Sequence, residues 1–227
     1  MNMVKHLIPY LLLFLLAPVG LPVELNPKVV AESEKANAFF ERIYNEKVDR
    51  FPEWQTYLGI KKDYGEWNND SDEIELRELE FTKENVEWLK SSIDYDFLDL
   101  QTKISYRLAL QNAEDAINRF KYRLYNYPVN QMFGRHTDVA SFLINMHLVT
   151  EASDAEAYVS RLNGVGPVFE QLLENLKLRE ELGVVPPRFV FPMAIESCRN
   201  IISGAPFDES GEDSALWGDF RKKLQAL

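Results

Sequence analysis

Two of the three histidines of the chain, His136 and His147, fall in one stretch, RLYNYPVNQMFGRHTDVASFLINMH (123–147). Imidazoles that are this rare invite a metal-ligand or proton-transfer reading. His147 and Glu151 are four apart, a spacing that puts two side chains on one face of a helix. With His136 or Asp138 as a third donor they would make a metal site. A zinc-peptidase helix, however, needs two histidines one turn apart, plus a glutamate to activate water. No H-E-x-x-H occurs, and His6 belongs to the apolar start of the chain. The competing reading is a surface pair, or a histidine hydrogen-bonded at a helix contact, and it is preferred. Cys198 lies in PMAIESCRNIISG with no histidine near it in sequence, so a small buried thiol is expected rather than a nucleophile. There is no G-x-S-x-G elbow, and NGVGP is too short to cradle a nucleotide. No catalytic, cofactor-binding or metal residue is therefore assigned, and no cofactor is expected for this chain.

The elements that must position these residues are helical. With 46% hydrophobic and 27% charged residues in 227, the chain can bury a proper core. A formal net charge of −11 argues against a nucleic-acid partner. A single cysteine excludes an internal disulfide. The spacing in ESEKANAFFERIYNEKVDRF puts Ala36, Phe39, Phe40 and Ile43 on one side of a helix that Pro52 interrupts. A short helix stops at Gly59, and IKKDYGEWNND reads as a polar loop. Ser71 is expected to cap the next helix, with Leu79, Val86, Leu89 and Ile93 inward. A long helix should run from about Asp99 to Tyr125, with Ile104 and Leu108 on its apolar side, and end at Pro128.

Tyr122, Tyr125, Tyr127 and Phe133 suggest a buried polar corner between that helix and the next, HTDVASFLINMHLV. Ser153 and Glu156 read as a capping box. Pro167 suits the first turn of a helix that carries Val168, Leu172, Leu176 and Leu182 inward and closes at Gly183. Pro192 opens another helix, ending at Gly204. SALWGDFRKKLQAL is amphipathic through Leu216, Phe220, Leu224 and Leu227. The class is all-α, an irregular array of roughly seven or eight helices, reading as the front portion of a larger helical fold. Residues 32–227 are expected to form the helical domain, incomplete at its C-terminus.

The start, MNMVKHLIPYLLLFLLAPVGLPVE, has a basic Lys5, an apolar run from Leu7 to Leu16 and a proline-rich exit. It reads as a signal peptide or N-terminal anchor over residues 1–31, with Val29-Val30-Ala31 the best-fitting processing site. The protein is expected to be exported, periplasmic or extracellular, and anchored in the inner membrane only if the signal is kept. No other membrane association is expected.

RFPEWQTYLGI, YPVNQMFG, SFLINMH, SDAEAYVSRLNGV and LREELGVVPPRFV, in this order, resemble the N-terminal part of the bacterial domain-of-unknown-function 885 family. The resemblance covers about Ala36 to Gly204. It implies an exported, largely helical, zinc-metallopeptidase-like protein whose H-E-x-x-P-G-H-H-type metal motif lies in a downstream half absent here. Zinc and a peptide substrate are thus implied only for full-length relatives, where this portion would be a non-catalytic wall of the substrate channel. The alternative is a stand-alone exported helical binding module.

The export reading predicts that material from a membrane-free fraction begins downstream of Met1 when its N-terminus is sequenced. An intact Met1 confined to the membrane pellet contradicts cleavage.

Overall fold

The structure, a computed structural model, describes residues 26–227. Residues 1–25, which hold most of the expected export signal, lie outside the described residues. The described residues form nine α-helices and two short 3-10 turns, with no strand. The all-α expectation agrees. None of these helices is long and apolar enough to cross a membrane.

The first helix, α1 (Pro27–Arg50), starts early enough that Val29, Val30 and Ala31 lie in its first turns. It stops where expected. Phe51, at φ −122° and ψ 89°, has left the helical region as a residue preceding proline tends to, and Pro52 starts α2 (Pro52–Tyr57). Gly59, at φ 74°, closes α2: its N–H donates to Thr56 O and that of Ile60 donates to Gln55 O. This double return needs a left-handed residue, which glycine adopts without cost from a Cβ. Gly183, also at φ 74°, ends α7 (Val165–Glu181) in the same way.

One core lies between α1, α3 (Asp72–Ser92) and α4 (Leu100–Arg119). Ala36, Phe39, Leu89, Ile93, Leu98 and Tyr106 form its buried cluster. Phe39 stacks on Trp88 with ring centroids 4.3 Å apart. The expected inward positions Ile104 and Leu108 are instead 46% and 54% exposed. Polar contacts fix the rotation of α4 on α1. Ser33 Oγ accepts from Asp99 N (2.9 Å), Asp99 caps Thr102 N (2.7 Å), and Asn37 Nδ2 donates to Thr102 Oγ1 (3.3 Å). These turn the Thr102–Tyr106 face inward and the 104/108 stripe to solvent. Ser71 holds the N-cap position of α3 but makes no side-chain cap bond.

Pro128 does not end α4. The helix stops at Arg119 and a 3-10 turn, Phe120–Tyr122, follows. Arg123 is drawn to Asp72 at 2.8 Å, and Asn126 accepts from Arg179 Nε at 2.9 Å. Those ties lead the chain off the helical path. The aromatics here are not a buried corner. Tyr122, Tyr125, Tyr127 and Phe133 are all exposed. The turn satisfies itself locally, with Asn130 Oδ1 accepting from the Met132 and Phe133 amides.

The second core surrounds α5 (Arg135–Asn145), which touches α7, α8 (Val190–Ile201) and α9 (Ala215–Gln225). Val139, Phe142 and Leu143 are buried there, with Tyr158 of α6 (Ala152–Asn163) and Val168 and Leu172 of α7. The capping box of α6 is Glu151 with Asp154, not Ser153 with Glu156. Pro192 sits inside the first turn of α8, which opens two residues earlier at Val190 and ends at Ile201 rather than Gly204. Leu182, expected inward, is the C-cap of α7 and 53% exposed. Cys198 is exposed, not buried.

Replacing Leu89 with Ala should destabilise the fold by about 2–5 kcal/mol, whereas Ile104→Ala should stay within about 0.5 kcal/mol. Denaturant midpoints check both, the Leu89 variant testing the buried face of α3 and the Ile104 variant the rotation of α4.

Candidate functional site

His147 is not on a helix. α5 ends at Asn145, and Met146 and His147 turn away from its axis. Glu151 is the N-cap of α6, so the i,i+4 face expected for His147 and Glu151 does not exist. His136 is at the start of α5 and lines a separate groove. The three are not gathered, and among the described residues no group of three His, Cys, Asp or Glu is placed to hold a metal ion.

What His147 does contact is Arg161, in the last turn of α6. Both residues are 0% exposed. Arg161 Nη1 lies 2.9 Å from His147 Nδ1, and His147 Nε2 lies 2.9 Å from the carbonyl of Asp154. A guanidinium only donates and a carbonyl only accepts. Nδ1 must therefore be the bare nitrogen and Nε2 the protonated one, and the ring is neutral. Burial is the main cause that drives the His147 pKa down, to about 4; the Asp154 carbonyl works against it, and the Arg161 and Lys223 cations add to it.

The other two nitrogens of Arg161 each have a partner as well. Nη2 donates to Thr56 Oγ1 at 2.7 Å and Nε to the Glu66 carbonyl at 3.0 Å. Thr56 in turn donates to Pro52 O. One side chain on α6 thus holds α2, the 58–71 loop and the segment after α5. Among the described residues no carboxylate bonds to Arg161. The rings of Phe142, Tyr64 and Trp67 lie 4.8, 5.3 and 5.6 Å from its guanidinium carbon, within the reach of cation–π attraction. Desolvation pulls Arg161 down to about 10, so it stays a cation at neutral pH.

Charged side chains surround this unit. Asp154 takes Lys61 Nζ at 2.7 Å, Thr150 N at 2.8 Å and Thr150 Oγ1 at 2.7 Å. Burial works against its ionised form, but these donors win and hold the carboxyl down at about 2. Glu53 of α2 takes Arg135 of α5 in a fork at 2.6 and 2.9 Å, while Asn68 and Glu53 exchange backbone-to-side-chain bonds at 3.1 Å. Tyr64 stacks on His147 at 4.1 Å and donates to Leu148 O at 3.0 Å. Trp67 donates to the Arg161 carbonyl at 2.8 Å.

Two features of the sequence could have pointed here. The polar loop carries Tyr64 and Trp67, large rings that seldom decorate a purely solvated loop. Arg161 also sits on the inward side of the α6 pattern, three after Tyr158. Neither was assigned a role from sequence. Chemically the assembly is closed: each ring nitrogen of His147 and each branch of Arg161 has a protein partner.

Three tests follow from this geometry. A neutral buried histidine adds stability fully present above its unfolded pKa near 6.5 and lost as pH falls toward about 4. The unfolded chain binds more protons in that window, so stability rises with pH. The shift corresponds to about 3 kcal/mol. Urea midpoints measured across this range should fall accordingly, and the fall should flatten in His147→Gln. Arg161→Lys keeps the charge but not the fork, leaving buried acceptors unpaired at about 1–3 kcal/mol each. Its midpoint should drop sharply.

A family model described as bacterial protein of unknown function (DUF885) matches residues 52–227. The match takes in α2 to α9 and leaves α1 outside. No curated protein and no solved structure matches the chain.

Proposed function

The chain belongs to the bacterial DUF885 family, whose function is unknown, and from that premise we propose that it is a non-catalytic helical portion of an exported zinc-metallopeptidase-like protein. It would form one wall of a substrate channel. The observation that carries the non-catalytic part is the state of His147. Its Nδ1 is committed to Arg161 and its Nε2 to the Asp154 carbonyl, so it has no nitrogen to offer a metal or a substrate. Its depressed pKa also removes it from proton transfer near neutral pH. Support for the wall comes from an apolar groove of about 580 Å³ between α7 and α8. The exported location rests on the N-terminal sequence alone.

A stand-alone binding module is the second reading, and the same open groove favours it. Melting of the purified full chain separates the two. A portion lacking its packing partners exposes apolar surface, binds hydrophobic dyes and melts over a broad range. A sharp two-state melt of a monomer supports the module. For the non-catalytic assignment, zinc titration of the full chain should show no tight binding, and a mixed peptide pool should stay intact. Tight zinc binding that is lost on His147→Ala, or zinc-dependent hydrolysis, overturns it.

A further inference from the structure

The segment that joins α4 to α5 has a charge pattern opposite to the rest of the chain. The net charge is −11, yet no Asp or Glu occurs between Asp115 and Asp138, while Arg119, Lys121, Arg123 and Arg135 all fall there. The same segment turns large rings and a thioether to solvent. Tyr122, Tyr125 and Tyr127 are 60%, 65% and 43% exposed, Met132 79% and Phe133 62%. Apolar groups gathered at this density on a surface mark a contact.

Met132 and Phe133 are held out on a turn of fixed shape. Val129 and Gly134 pair across its base, and Asn130 N donates to Phe133 O at 3.2 Å. Asn130 Oδ1 accepts from the Met132 and Phe133 amides at 2.8 and 3.1 Å. Gly134, at φ 142°, closes the turn where an added Cβ would collide with the Pro128 carbonyl. The backbone is thus satisfied locally while the two apolar side chains stay in water.

A protruding apolar tip is covered either by a cavity of matching shape or by a fluid that closes around it. The neighbouring side chains favour the fluid. A tyrosine has an apolar body and a polar end, which suits the boundary between hydrocarbon and water. Lys121 is exposed and pairs with no carboxylate among the described residues. Arg119 is also exposed, with Asp115 3.7 Å away. The inner cations are occupied, Arg123 by Asp72 and Arg135 by Glu53. An approaching anionic surface therefore meets cations and no acid of this segment.

We propose that the 119–133 segment docks on an anionic lipid surface. Met132 and Phe133 enter the edge of the acyl region, the three tyrosines lie at headgroup level, and Arg119 and Lys121 pair with lipid phosphates. This departs from the sequence-based expectation that only the N-terminal segment meets a membrane. It does not rest on the metallopeptidase-like reading.

The test mixes the full chain with vesicles of phosphatidylcholine containing about one-third phosphatidylglycerol. An environment-sensitive dye is attached at Met132→Cys in a Cys198→Ser background, or at the native Cys198, which is exposed on α8. Vesicles should shift the dye at position 132 to the blue and leave the dye on Cys198 unchanged. Insertion is read at the dye, so attachment through the apolar N-terminal run alone does not count as support. Phe133→Ser should lower the ratio of inserted to free tip about tenfold. Lys121→Glu should lower it about tenfold on the mixed vesicles. Vesicles of phosphatidylcholine alone should give a much weaker response.

Both substituted side chains are exposed, so the melts should match that of the parent, and Lys121→Glu keeps the test decisive should Phe133→Ser fail to fold. The proposal is overturned if the dye at position 132 does not respond, if Cys198 responds equally, or if neither variant weakens the response. An equal response on phosphatidylcholine alone also overturns it. So does a dye at position 132 that turns blue without vesicles in proportion to protein concentration, since a second copy then covers the tip. None of these outcomes bears on the zinc and peptidase assays, whose failure would leave the lipid contact standing.

Discussion

A guanidinium moved from water into a protein interior loses hydration that several kcal/mol of new contacts must replace. In this fold Arg161 is fully buried and, among the described residues, bonds to no carboxylate. The replacement comes from three neutral acceptors on three separate segments, and from the faces of three aromatic rings. Such an arrangement works only if each acceptor keeps its place to within a hydrogen bond. The position of α2, the course of the 58–71 loop and the break after α5 all follow from it. His147 must stay neutral, because a protonated ring would turn its accepting nitrogen against the cation.

The same requirement explains the surrounding charges. Glu53 stands close enough to favour the Arg161 cation through space, yet its fork is spent on Arg135. Asp154 turns its carbonyl toward His147 while its carboxylate gathers Lys61, Thr150 and the first turn of α6. Gly164 follows from packing: an added Cβ there would come within 3.0 Å of Trp67. Structural polar chemistry of this kind is high-stakes, since one missing partner leaves several buried groups unsatisfied. It also uses up His147, the residue that looks most reactive in the sequence.

Helical class, the break at Pro52 and the glycine stops at Gly59 and Gly183 were legible in the sequence because each rests on local backbone chemistry. The rotation of α4 was not. Apolar spacing pointed to Ile104 and Leu108, but Ser33, Asn37 and Asp99 make long-range polar contacts that spacing cannot reveal. The end of that helix was missed for a similar reason, since Asp72 and Arg179 act on it from distant segments. His147 was noticed for its rarity, and the reading of a histidine hydrogen-bonded at a helix contact describes it. Its partner could not be read, because Arg161 lies fourteen residues away in what passes for an ordinary amphipathic helix. For Cys198, local patterning gave the helix correctly but not which side of it the rest of the chain covers.

The most direct measurement of the central claim is the protonation state of the His147 ring in the intact protein, read from its imidazole nitrogen-15 shifts as pH is lowered. The account predicts a neutral ring at pH 5.5, with Nδ1 bare and Nε2 carrying the proton, and titration only on approach to about 4. An ordinary titration near 6.5, or a proton on Nδ1 at neutral pH, would contradict it.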